Sequence, residues 1–456
     1  MFESYRVIHF TGIGGIGMSG IAELLHNLGY EVTGSDIKES ETTKRLRGLG
    51  MTVHIGHRME NITNAHVVVI SSAVKKDNPE VIAAEQQQIP VIPRAEMLAE
   101  LCRLKYSILI AGAHGKTTTT SLVSSILTAA RMDPTVVIGG RLKATGANAV
   151  LGKGNFIVAE ADESDGSFLM LTPAIAVATN IDREHMEYFG SIDALKEAFI
   201  SFLNKVPFYG SSILCIDNPF IREILPELHR RYITYGFTPE ADIYAHAVGH
   251  QGFRMEYSVV HKGKDLGTFV LPLIGKHNVL NSLAAVGVAM ELKVPVETIS
   301  ESLRTFSGIQ RRFELKGETR GIRVFDDYGH HPTEITAILS AARMAVEKKI
   351  HVVFQPHRYT RTQGLMTEFS SAFGDADRVY VLDIYPAGEK PIEGVSAAVL
   401  TERIRTRQKN ASYEKDAGAL LKKLREDVKP GDVVITLGAG DVYKIGESFL
   451  GEAKDA

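Results

Sequence analysis

Three α/β domains in series are what this 456-residue sequence predicts. A Rossmann-like domain is expected over residues 1–105, a central P-loop ATPase domain over 106–308, and a C-terminal Rossmann-like α/β domain over 309–456. Two glycine-rich junctions, each between a short apolar run and a helical stretch, mark the starts of the first two. In the last 150 or so residues, apolar strand-like runs end again and again in polar clusters, the layout of a doubly wound sheet with its site along one edge. The length alone exceeds one ordinary hydrophobic core.

Composition narrows the function classes. Apolar residues make up 44% and charged residues 23%, and 51 Lys+Arg stand against 54 Asp+Glu for a formal charge of -3. That balance argues against a dedicated nucleic-acid or anionic-membrane binder. No apolar run is long enough to span a bilayer, and the first ten residues lack the apolar core of a secretory leader. The two cysteines, Cys102 and Cys215, are far apart, so free thiols and a cytoplasmic location are expected. A monomer or homodimer is the expected state.

The first domain opens with a strand at 7–10, then Gly12-Ile13-Gly14-Gly15-Ile16-Gly17, a helix, and a second strand at 31–34 that leads to Asp36. This G-x-G-x-x-G turn suits a pyrophosphate, because glycine lets the backbone approach it closely. NAD(P), with Asp36 on a ribose, is the usual occupant. A turn needed only for helix–strand packing is the alternative. Ser72 follows another apolar run, where a ligand crevice opens.

The central domain begins with strand 108–111 and the loop Gly112-Ala113-His114-Gly115-Lys116-Thr117. Successive N–H groups in such a loop converge on phosphate oxygens. Lys116 suits the β/γ-phosphates, and the Thr117 hydroxyl suits Mg²⁺. The loop is shorter than the eight-residue pattern, which needs glycine where this chain has Ile110. Further on, Glu160, Asp162, Glu163 and Asp165 place four carboxylates within six residues. Their mutual repulsion calls for a cation or full solvation. His185 follows the next strand end, but an oxygen-seeking ion does not favour imidazole, so the residues alone leave its role open. Residues 237–267 alternate in β fashion and predict a side sheet. His277, Asn278 and Asn281 share one helix face. They suit the edge of a purine; helix capping by the asparagines is the plainer alternative.

In the third domain, strands at 323–326, 351–355, 378–383 and 432–437 end in polar groups. Two of these ends read Asp327-Tyr328-Gly329-His330-His331-Pro332 and Pro356-His357-Arg358-Tyr359-Thr360-Arg361. Arg358 and Arg361 suit carboxylate or phosphate clamping. Adjacent side chains rarely face one substrate, so at most one of His330 and His331 is expected to be catalytic. The residues together point to an ATP enzyme acting on a substrate that bears a pyrophosphate.

The loop from Gly112, the acidic run from Glu160, the string Asn180 to His185, the string Gly275 to Asn281, Gln310-Arg311-Arg312-Phe313 and the string Asp327 to Pro332 occur in the order found in the Mur ligases of peptidoglycan synthesis, which the whole chain resembles. Residues 9–20, the string at 72–79 and Tyr328-Gly329-His330-His331-Pro332 resemble the branch that adds the first amino acid. The resemblance implies ATP-dependent joining of L-alanine to the carboxylate of UDP-N-acetylmuramate through an acyl phosphate, with ADP and phosphate released. It replaces NAD by the UDP moiety as occupant of the first domain. Gly12, Gly14, Gly15, Gly17, Asp36, Ser72, Tyr328 and His330 are then substrate residues. The loop residues through Thr118, with His277, Asn278, Asn281 and Arg312, bind the nucleotide. Thr117, Glu160 and His185 hold Mg²⁺, and Lys116, His330, Arg358 and Arg361 serve the chemistry.

Two departures from the family pattern stand out. Ala113 replaces a usual threonine, which removes one hydroxyl contact. The position at which several later Mur ligases carry a carbamylated lysine falls near Phe199, with Lys196 and Lys205 out of register, so no carbamylation is expected. Two rival activities share parts of the pattern: a recycling ligase that joins a murein tripeptide to UDP-N-acetylmuramate, and an NAD-dependent dehydrogenase.

Overall fold

The computed structural model describes residues 5–71, 73–138 and 149–451. Ser72 lies outside them. The first sheet holds β1 (Val7–Thr11), β2 (Glu31–Asp36), β3 (Thr52–Ile55), β4 (Val67–Ile70) and β5 (Val91–Pro93), all parallel in the order β3-β2-β1-β4-β5. Helices α1 (Ile16–Asn27), α2 (Glu41–Gly48), α3 (Pro79–Gln86) and α4 (Arg94–Cys102) connect them. Their starts follow local chemistry. The Ser40 hydroxyl and Thr43 cap α2 reciprocally, and Asn78 caps α3 ahead of Pro79 at its first position. The strand order reverses between β1 and β4, where open parallel sheets bind ligands at their carboxyl edge.

The second sheet has ten strands: β6 (Tyr106–Ala111), β7 (Thr135–Val137), β8 (Ala149–Val150), β9 (Phe156–Glu160), β10 (Ile175–Ala178), β11 (Ser211–Cys215), β12 (Tyr232–Gly236), β13 (Ile243–Gln251), β14 (Arg254–His261) and β15 (Lys264–Leu271). Their order is β15-β14-β13-β12-β11-β10-β6-β9-β7-β8. Its helices are α5 (Lys116–Ala129), α6 (Met186–Phe189), α7 (Ile192–Leu203), α8 (Pro219–Ile224), α9 (Lys276–Glu291) and α10 (Val296–Arg304). Ile108, Leu109, Ile110 and Ala111 of β6 are wholly buried, as a central parallel strand covered on both faces requires. In α5, Thr117, Thr118, Thr119 and Thr120 are all buried. Threonine is a mediocre helix former, so packing rather than propensity holds this turn. The expected side sheet is not separate. Parallel pairing of Tyr235 with Ile243 and of Gly236 with Tyr244 joins β13 to β12, so these strands extend the central sheet. Alternation reveals a strand but not its neighbour.

The third sheet runs β16-β17-β21-β18-β19-β20, from β16 (Glu314–Thr319), β17 (Ile322–Asp327), β18 (Ile350–Phe354), β19 (Arg378–Val381), β20 (Ala411–Tyr413) and β21 (Val433–Leu437). Only the β16–β17 pair is antiparallel. The helices are α11 (Pro332–Ala345), α12 (Tyr359–Gly364), α13 (Met366–Ser371), α14 (Ala397–Arg405), α15 (Ala417–Asp427) and α16 (Tyr443–Gly451). Phe354, Phe369 and Phe373 are buried together with ring centroids 5.1 and 5.6 Å from Phe354. Each such side chain contributes about 1.5–3 kcal/mol of burial.

Compactness divides the chain into two units. One comprises Met1–His246, Ser258–Gly267 and Leu280–Phe306; the other comprises Ala247–Tyr257, Thr268–Val279 and Ser307–Ala456.

Candidate active site

In the first unit the glycine turn follows β1. Gly12 has φ +83°, a conformation glycine adopts without strain. The N–H groups of Gly12 and Ile13 donate to the Ser35 carbonyl at 2.8 and 2.9 Å, and the Gly14 N–H donates to Asp36 Oδ2 at 2.8 Å. Asp36 therefore reaches back onto the turn. A Cβ at Gly14 would lie 2.6 Å from that same oxygen. Beneath the turn, the buried Glu80 carboxylate accepts hydrogen bonds from the Thr11 and Ser35 hydroxyls and the Asn61 amide, each at 2.7 Å, with His9 Nε2 at 3.3 Å. Burial works against its charge, but the bonds from His9, Asn61 and Ser35 outweigh it and hold the carboxyl down to about 2.

The phosphate loop follows β6, and the next strand end shapes it. Asn180, just beyond β10, accepts from the His114 N–H at 2.9 Å and returns a bond from its amide to the His114 carbonyl at 3.0 Å. The Thr179 hydroxyl donates to that carbonyl at 2.6 Å. Gly112 (φ +134°) and Gly115 (φ +85°) both need glycine; a Cβ on Gly115 would stand 2.4 Å from Asn281 Oδ1. Asn281 thus packs on the loop and also meets the Thr119 hydroxyl at 3.4 Å.

Lys116 Nζ donates to the Gly112 carbonyl at 2.6 Å and to both oxygens of the buried Glu163 at 2.9 and 3.0 Å. Burial would lower its pKa, but the Glu163, Asp162 and Glu160 carboxylates more than reverse that, so the ammonium is firmly charged. Glu160 ends β9, Thr117 is the second residue of α5, and His185 precedes α6 at φ +58°. His185 Nε2 lies 3.9 Å from Glu163 and 3.6 Å from Glu184. The Glu160 carboxylate and the Thr117 hydroxyl offer oxygen donors of the kind a hard divalent cation takes, whereas imidazole is not its preferred ligand.

The second unit gathers its residues at the ends of β17, β18 and β21. Arg311 is committed to structure: it donates to Asp326 at 2.9 Å and to the Gly438 and Gly440 carbonyls at 2.6 and 3.0 Å. Arg312 instead lies over the Tyr328 ring, 5.5 Å from its centroid, with Glu334 at 3.8 Å. His331 caps α11 through its ring nitrogen, so of the two adjacent histidines it has the structural task. His330 Nδ1 lies 3.0 Å from the Tyr328 carbonyl, and its ring meets His357 edge-on at 5.5 Å. Burial lowers His330 to about 4, and burial with the neighbouring His330 and Arg361 lowers His357 to about 3. Both rings are neutral near pH 7. His330 must then donate its Nδ1–H to the carbonyl, leaving Nε2 as an acceptor. Arg361 donates to His357 Nδ1 at 3.2 Å. Arg358 is exposed, with φ +70°, and its N–H bonds the Tyr385 carbonyl at 2.9 Å. Burial also pushes Asp327 up to about 7, against Arg312 and the N–H groups of Gly329 and Phe313 that its oxygens accept at 2.7 and 2.6 Å.

On α9, the Asn278 amide donates to the Ile274 carbonyl at 2.9 Å. Lys196 pairs with Asp193 and Glu223, and Phe199 is wholly buried. The sequence names no partner for three residues. Glu163 was visible within the acidic run, and Asn180 at a strand end. Glu80 carried no local signal, because its partners stand 19 to 71 residues away in sequence.

Comparison with known proteins extends these observations over the whole chain. Three family models match in succession: "Mur ligase family, catalytic domain" over residues 7–106, "Mur ligase middle domain" over 110–289, and "Mur ligase, glutamate ligase domain" over 311–440. The UDP-N-acetylmuramate--L-alanine ligase of Geotalea uraniireducens (strain Rf4) is 55% identical over 455 residues, 100% of this chain and 99% of that protein. Among solved structures, the UDP-N-acetylmuramate-alanine ligase MurC of Thermotoga maritima is similar at a TM-score of 0.85 and 28% identity, covering 98% and 99% of the two chains. A murein peptide ligase from Psychrobacter arcticus 273-4 shares the fold at a TM-score of 0.72 and 24% identity, covering 99% of each chain.

Proposed function

The chain belongs to the Mur ligase family, and we propose that it uses ATP to join L-alanine to the carboxylate of UDP-N-acetylmuramate. The products are UDP-N-acetylmuramoyl-L-alanine, ADP and phosphate. The observation that carries this reading is Lys116, half-buried and charged at a glycine loop and ringed by carboxylates. The tripeptide-recycling and dehydrogenase activities are not favoured: the relatives matched at 52–55% identity over nearly all of the chain carry the alanine-adding name, and a dehydrogenase leaves the phosphate loop and acidic run without a task.

In the first unit, Gly12, Gly14, Gly15, Gly17 and Asp36, with Ser72, hold the UDP-sugar. The loop residues Gly112, Ala113, His114, Gly115, Thr117 and Thr118 cradle the ATP phosphates, and His277, Asn278, Asn281 and Arg312 border the nucleotide. Lys116 exchanges the Glu163 carboxylate for a γ-phosphoryl oxygen and stabilises the charge that spreads there during transfer. Thr117, Glu160 and His185 would hold Mg²⁺, which when bound neutralises phosphoryl charge.

The sugar carboxylate attacks the γ-phosphorus, ADP leaves, and an acyl phosphate forms. The alanine amino group then attacks the acyl carbon, and phosphate leaves from the tetrahedral intermediate. Alanine must react as the free amine. Nε2 of His330, neutral and unprotonated, accepts a hydrogen bond from the alanine nitrogen and orients it toward the acyl carbon, while the ammonium proton passes to solvent. Arg358 and Arg361 bind the oxyanions of the acyl phosphate and the amino acid, and His357 orients Arg361. Tyr328 provides the face on which Arg312 rests. Both cysteines are free and buried, and burial raises Cys102 to about 12 and Cys215 to about 11, in keeping with unreactive thiols and a cytoplasmic activity.

Phosphate release with ATP, UDP-N-acetylmuramate and a panel of L-alanine, glycine, L-serine and a murein tripeptide tests the proposal. Alanine is expected to drive turnover. Release with the tripeptide alone would move the protein to the recycling activity.

A further inference from the structure

Arg94 opens α4, and its guanidinium lies between the first turn of α1 and the acidic run of the first unit. On one side it covers Gly17, the last glycine of the turn: a Cβ there would stand 2.9 Å from Arg94 Nη1 and 3.3 Å from Cζ. Gly17 has ordinary backbone geometry, so its lack of a side chain serves to admit the arginine. On the other side, Arg94 Nη2 lies 3.6 Å from Asp162 Oδ2 in the acidic run beside Lys116. That distance is too long for a hydrogen bond. The Arg94 side chain is 29% exposed, and among the described residues Asp162 is its sole ion-pair partner. An arginine presents five N–H donors in a planar fork that matches an oxyanion. Here the fork rests against Gly17 in the first turn of α1, and among the described residues no hydrogen bond uses its donors.

We propose that Arg94 binds an oxyanion of the UDP-sugar, as a substrate-positioning residue between the glycine turn and the acidic run. This rests on the UDP-sugar occupying the first domain. The shared chemistry is a resonance-stabilised oxyanion, from either the pyrophosphate or the sugar carboxylate.

Calorimetric titration of UDP-N-acetylmuramate and UDP-N-acetylglucosamine into wild type, Arg94→Lys and Arg94→Ala, without ATP, tests it. The second ligand lacks the carboxylate. Roughly tenfold or greater weakening is expected for Arg94→Ala, and a partial loss for Arg94→Lys, which keeps the charge but not the fork. Weakening of both ligands assigns the pyrophosphate; weakening of UDP-N-acetylmuramate alone assigns the carboxylate. Wild-type affinity for both ligands within twofold in both variants overturns the proposal. Failure of the wild type itself to bind either ligand would instead remove the UDP-sugar from this domain. ATP affinity and melting temperature, measured alongside, distinguish a lost ligand contact from a damaged fold: ATP affinity that falls in step with UDP-sugar affinity also overturns the proposal.

Discussion

The chain has two glycine loops after parallel strands, and they are built alike but charged differently. In each, the neighbouring strand end holds the loop's backbone: Ser35 and Asp36 at the end of β2 for the first, Thr179 and Asn180 after β10 for the second. The first contains no charged side chain of its own, and a carboxylate from β2 meets its amide. The second carries Lys116 and faces three carboxylates that keep the amine protonated. Similar backbone patterns therefore suit different tasks. The first offers dipoles and suits binding alone, whereas the second adds a mobile charge, which phosphoryl transfer needs.

If that division holds, damage to one loop should leave ligand binding at the other intact. Lys116→Ala should reduce turnover by on the order of 10²–10³-fold or more, the scale of losing a donor to developing charge. Its UDP-N-acetylmuramate affinity should stay within about twofold of wild type by calorimetry. Near-normal turnover would contradict the assignment of the second loop. Glu160→Ala should raise the Mg²⁺ concentration for half-maximal rate by at least about tenfold; an unchanged Mg²⁺ titration removes Glu160 from the metal set. Gly14→Ala acts on the other loop, where the added Cβ meets Asp36. Overpacking of about 1–3 kcal/mol predicts a rise of ~10-fold in KM for the UDP-sugar, with ATP affinity unaltered. Equal effects on both ligands would show the loops to be coupled.

The second unit supplies the contrast to both loops, because burial rather than charge sets its chemistry. His330 has a folded pKa of about 4 against 6.5 unfolded, so its contribution to stability is present above pH 6.5 and is lost as pH falls toward 4. Asp327, about 7 folded against 3.8 unfolded, has the opposite sign: its contribution is present below 3.8 and is lost as pH rises toward 7. Between pH 4 and 6.5 the two slopes oppose each other. Relative to wild type, His330→Asn should make unfolding free energy fall more with rising pH, by up to about 1.4 kcal/mol per pH unit, and Asp327→Asn should make it rise more by a similar amount. Urea titrations at pH 4.5, 5.5 and 6.5 measure both. Slopes identical to wild type would remove the burial argument.

The parts legible in the sequence were those written contiguously. The two glycine loops, the acidic run and the histidine-bearing string after β17 each stand within about ten residues, and apolar runs mark most of the strands around them. The extension of the central sheet through β13 was not legible, since alternation in 243–251 does not name a neighbouring strand. Neither was Glu80, whose four side-chain donors come from three other strand and loop segments. Asn281 is a further case: its helix face was visible, but its seat against Gly115 joins positions 166 apart.

By itself the sequence determined the residue types, their local spacing and so the chemistry on offer: phosphate-binding backbone, one loop lysine, clustered carboxylates and arginine forks. Only the tertiary structure decided the electrical state of those groups and their partners. Lys116 is charged because Glu163 folds onto it, His330 is neutral because it is buried, and Arg94 is a binding candidate because Gly17 leaves room for it. The physical reason is that backbone preferences are local, whereas desolvation and Coulomb energy depend on neighbours that the chain brings together only on folding.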